Sequence, residues 1–102
     1  MSTRAGITII EKNTTAEFSR HWDGYPEGLA MDLKSVDTFT AGSIIKALNL
    51  DTDVESGLEY YYDIDLDKGE ISAYDCDWRT DTKTDLIFKG SFQEFIENFI
   101  IE

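Results

Sequence analysis

The chain has 102 residues, of which 41% are hydrophobic and 13% aromatic, and it carries a formal net charge of −12. That is enough apolar material for one cored domain and too much for a disordered acidic tail. Cys76 is the only cysteine, which excludes an internal disulfide; a lone thiol in such a chain is expected to sit half-buried on a strand and fits a reducing, cytoplasmic compartment. Neither a signal peptide nor a membrane-spanning segment is expected, because only a short strand-like run follows Arg4 and no long apolar stretch occurs anywhere.

Gly6 to Ile10 is short and β-branched and predicts a first strand, with Ala16 to Trp22 as a second and Lys12 to Thr15 as the loop between them. Asp23-Gly24 then supplies a turn, and Pro26 suits the first position of a helix carrying Leu29, Leu33 and Val36 on one face. A second helix is predicted from Ala41 to Leu48, capped by Thr40 and burying Ile44, Ile45 and Leu48.

Alternation is clearest from Leu58 onward. Leu58, Tyr60, Tyr62, Ile64 and Leu66 share one parity, and Glu59, Tyr61, Asp63, Asp65 and Asp67 share the other, so the first set faces a core and the second faces water. Lys68-Gly69 reads as a two-residue hairpin turn, which pairs Leu66 with Ile71 and Ile64 with Ala73. Thr84 to Phe88 predicts a fifth strand. Ser91-Phe-Gln-Glu94 is a capping box that opens a final helix with Phe92, Phe95, Ile96, Phe99 and Ile100 as its apolar stripe. The fold class is therefore α+β: one domain over residues 1–102, order β-β-α-α-β-β-β-α, an antiparallel sheet of about five strands with two to three helices on one face.

Between Asp51 and Asp85 twelve carboxylates face three basic residues, leaving nine of the net negative charges in one third of the chain. Crowding of this kind costs stability by self-repulsion and points to a cationic partner. Alternate residues on a strand face lie about 6.5–7 Å apart, comparable to successive phosphates of a nucleic-acid strand. Asp63, Asp65 and Asp67, continued by Glu70, Asp75 and Asp77, are thus the candidate partner-binding residues, and a triple Asp→Asn change at the first three is expected to relieve repulsion and abolish binding. A competing use of such a row is to keep an exposed hairpin soluble and unpaired at its edge. A calcium loop is not expected: Asp63-x-Asp65-x-Asp67 imitates the first ligands of an EF-hand, but Lys68 and Tyr74 stand where that loop needs Gly and Glu.

His21-Trp-Asp-Gly-Tyr-Pro-Glu-Gly28 holds the only His and the only Pro. His21 and Asp23 suggest a base with an orienting carboxylate, and His21, Trp22, Asp23 and Tyr25 form a possible second site. The constellation lacks an activated nucleophile, and the expected reading is a strand-to-helix corner with Trp22 and Tyr25 packed over it. This octapeptide, with the Thr-Arg start and Tyr60 to Glu70, resembles a group of small uncharacterised proteins met in phages, prophages and bacterial genomes. The resemblance implies a genomic context and no reaction. Together these features predict a non-enzymatic acidic protein without cofactor or metal, in the cytoplasm of a bacterial host. Its expected action is to block a basic, nucleic-acid-binding defence complex by occupying the cationic channel, as a nucleic-acid mimic. The alternatives are a small enzyme or ligand-binding domain at the corner and an acidic accessory domain without a dedicated partner.

Overall fold

Lys12 and Asn13 both take positive φ, 53° and 59°, which is the combination a tight type I′ reversal requires. They join β1 (Ala5–Glu11) to β2 (Thr14–Arg20), so the loop is two residues long rather than the four expected. The computed structural model describes residues 3–53 and 56–100; Glu55 of the acidic stretch lies outside them. Next come α1 (Pro26–Leu33), with Pro26 in its first turn, and α2 (Ala41–Ala47), whose capping box links Thr40 and Ser43. The chain then forms β3 (Tyr60–Asp65), β4 (Glu70–Asp77), β5 (Thr82–Ser91) and α3 (Phe92–Phe99), opened by the Ser91–Glu94 capping box. The order is the one the sequence predicts.

The sheet runs β2-β1-β3-β4-β5. It is antiparallel except at its centre, where β1 and β3 pair in parallel, Ala5 with Tyr60 through Ile10 with Asp65. The long crossover through both early helices makes a parallel return possible. Ala5, Ile7, Ile9, Tyr62, Ile64, Ile71 and Ala73 point to the helical side and bury against Leu29, Leu33, Ile44, Leu48, Phe92 and Phe95. The other side, which carries Gly6, Thr8, Tyr61, Asp63, Ser72 and Tyr74, receives no helix.

The second hairpin corrects the expected register. Ile64 pairs with Ile71 and Asp65 with Glu70, which leaves Leu66 to Gly69 as a four-residue loop. Asp65 Oδ1 accepts from Lys68 N at 3.1 Å and Gly69 takes φ 66°, and these two features close the turn. A displacement of two residues keeps every side chain on its predicted face. β5 is longer at both ends than expected and carries register shifts opposite Ala73/Tyr74 and Tyr74/Cys76. Such bulges disrupt an edge ladder and discourage pairing with other chains, although Leu86 and Ile87 are exposed on this edge.

Candidate functional site

Arg20, the last residue of β2, organises the corner. Its side chain is buried, and it donates through Nε to the Trp22 carbonyl at 2.8 Å and the Asp23 carbonyl at 3.2 Å. Nη1 reaches the Leu48 carbonyl at 2.9 Å and Nη2 reaches Asp32 Oδ2 at 2.6 Å. The planar fork of arginine suits this set of acceptors as no ammonium would. Gly24 lies so close to Thr3 and Ala5 that a Cβ there would stand 2.8 Å from the Thr3 carbonyl, and its own carbonyl accepts the Tyr62 hydroxyl at 2.6 Å. Burial raises the Tyr62 pKa well above the ordinary range, so the phenol stays protonated as the donor.

The corner is thus a packed turn, as expected, but its aromatics are not the packing. Trp22 is 63% exposed and Tyr25 37%. Arg20 and Tyr62 hold the corner from beneath, and Trp22 and Tyr25 are left facing outward. His21 does not meet Asp23: its Nε2 lies 3.3 Å from Asp51 Oδ2, while Asp23 accepts from the Tyr25 hydroxyl at 3.2 Å. The adjacent cavity of about 180 Å³ is lined by Arg20, Trp22, Asp23, Asp32, Leu48 and Asn49 and does not include His21.

The predicted acidic row is divided. Asp63, Asp65 and Glu70 share the helix-free side of the sheet. Asp63 is held by Lys83 Nζ at 3.0 Å and Glu70 lies 3.9 Å from Lys89 Nζ. Asp67 lies beyond the strand, where its two carboxylate oxygens accept the Lys12 and Asn13 amides of the first turn at 2.8 and 3.1 Å. Those backbone bonds lower its pKa. Asp77 pairs with Arg79, and Asp81 Oδ1 accepts from the Gly57 and Leu58 amides. Much of the acidic excess therefore serves as acceptors for turns, a role that composition alone does not reveal.

Asp75 belongs elsewhere. Arg20, Ala5, Tyr60 and Asp75 form one register row across the sheet at the corner end. Burial raises the Tyr60 pKa first, and the charges of Asp75, Glu27 and Glu59 raise it further. Hydrogen bonding to Asp23 raises the Tyr25 pKa, with Glu27 adding to it. Among the described residues none of Asp23, Glu27, Glu59 and Asp75 is ion-paired. Trp22 follows β2 and Trp78 follows β4 at this same end, and Trp78 is 61% exposed. One end of the sheet thus holds both these carboxylates and exposed indole and phenol rings. Sequence reading treats Asp75 and the corner as separate sites; the strand register joins them, and Glu27 and Glu59 add their charges at the same Tyr60.

Among the described residues no three His, Cys, Asp or Glu side chains converge as a metal site, and no described helix is long and apolar enough to cross a membrane. No protein-family model matches the chain, and neither does any curated protein or solved structure.

Proposed function

We propose that this protein is a non-enzymatic acidic interaction module that docks on a cationic surface of another protein through the corner end of its sheet. The observation that supports this reading is the set of carboxylates Asp23, Glu27, Glu59 and Asp75, none of them ion-paired among the described residues, at the end of the sheet that also carries Trp22, Tyr25 and Trp78. Carboxylates and exposed rings suit arginine, which pairs with the first and stacks on the second, and Trp and Tyr are the side chains that dominate binding energy at interfaces. The phage or mobile-element context that the sequence resemblance implies makes a nucleic-acid-handling defence complex the natural target. Inhibition then works by occupancy of a basic channel.

The test is capture of partners from a bacterial host lysate by the wild type and by Glu27→Gln/Glu59→Gln/Asp75→Asn, with and without excess DNA oligonucleotide. The expected partner is released by DNA and by rising salt, because exposed pairs are screened beyond a Debye length of about 8 Å at physiological ionic strength. It is also lost from the triple variant. A partner retained by that variant and indifferent to both salt and DNA would remove the proposal.

A further inference from the structure

The helix-free side of the sheet holds an arrangement that the corner reading does not use. Tyr61 and Tyr74 are direct cross-strand partners on β3 and β4, and the Lys83 ammonium lies 4.6 Å from one ring centroid and 4.7 Å from the other. Asp63 Oδ2 completes the enclosure at 3.0 Å. Two electron-rich faces and one carboxylate are the elements of a cage for an ammonium ion.

One wall is fixed independently of the occupant. The Tyr61 ring lies over Gly6, where an added Cβ would stand 2.5 Å from Cε2, and its hydroxyl is 2.6 Å from Thr8 Oγ1. Glycine under a tyrosine ring and a threonine at its tip hold that ring in place whether or not Lys83 is present. The occupant is held more loosely: Lys83 comes from the edge strand, on the far side of both register shifts from Phe88, and its side chain is 41% exposed.

We infer that Tyr61, Tyr74 and Asp63 form a lysine-binding cage that Lys83 plugs in the free protein, and that a lysine of the cationic partner takes its place on docking. The ammonium already seated there identifies the ligand chemistry. For its partner this inference rests on the interaction reading above, but the cage itself is testable with a small cation and no protein partner. Failure of the cage therefore leaves the corner surface untouched, and failure of capture leaves the cage untouched.

The experiment titrates methylammonium chloride into wild type and Lys83→Ala, against sodium chloride at equal ionic strength, and follows the Tyr61 and Tyr74 ring resonances. Lys83→Ala should give a saturable shift with an affinity about tenfold above wild type, the scale expected for a cation between aromatic faces. Adding Asp63→Asn should weaken it. Lys83→Ser serves in the same way if the alanine variant does not fold. The inference is overturned by the absence of a saturable shift, by a wild-type response equal to the variant's, or by indifference to Asp63→Asn.

Discussion

Arg20 carries more of the corner than any residue of the octapeptide that follows it. Removing its guanidinium strands the carbonyls of Trp22, Asp23 and Leu48 and frees Asp32. Arg20→Ala is expected to cost about 2–4 kcal/mol in urea unfolding, given roughly 1–3 kcal/mol for a buried polar group left without a partner. Arg20→Lys should recover little of this, since one ammonium cannot serve the same acceptors. The contact of His21 with Asp51 is partly exposed, so the share of a His21→Ala cost that comes from losing it should stay below about 1 kcal/mol, as read by comparison with Asp51→Asn. An Arg20→Ala midpoint matching wild type would contradict this account of the corner. The signal for Arg20 was present in the sequence as an arginine on the inward parity of Ala16 and Phe18. Its acceptors were not legible, because Asp32 and Leu48 come from helices whose placement no local pattern fixes.

Elements whose logic is local were readable, and elements whose logic is distant were not. The Ser91–Glu94 capping box and the stripe Phe92, Phe95, Ile96 predict α3 within its own residues, and Phe95 is fully buried against Tyr62, Phe88 and Phe99. Phe95→Ala should therefore cost about 3–5 kcal/mol, the usual range for a large core aromatic, measured by the same urea transition. The β3–β4 alternation likewise gave the correct faces, but the turn length depended on Asp65 capping Lys68. Asp67 is the clearest miss, since its partners lie 55 and 54 residues away. Its role reverses one expectation. Asp63→Asn/Asp65→Asn/Asp67→Asn removes the charge that pairs with Lys83, weakens the Asp65 cap and takes one of the two acceptor oxygens of Asp67, so its melting temperature should fall below that of wild type rather than rise. A higher melting temperature would show that repulsion among these groups outweighs their bonds.

Across the whole molecule, the two uses of acidic residues respond oppositely to acid. The pKa values of Asp51, Asp67, Asp77 and Glu94 are lowered, in each case first because a backbone amide donates to the carboxylate. A depressed carboxylate stabilises the fold above its unfolded pKa, and that contribution disappears as pH falls through the lower folded value. From these groups the urea midpoint should hold steady between pH 7 and 5 and drop below about pH 4, the ordinary carboxylate range. A midpoint higher at pH 3 than at pH 7 would mean that relief of repulsion is the stronger effect. The parallel pairing of β1 with β3 has a further consequence, for the time course of folding. The meander of β3, β4 and β5 and the hairpin of β1 and β2 are each contiguous in sequence, whereas the seam between them must close a loop of about fifty residues. Contacts that distant form late, because chain entropy is lost before they are made. The chain is thus two quick-forming pieces joined by one slow event, and Asp67 is the clasp at the tip of that seam.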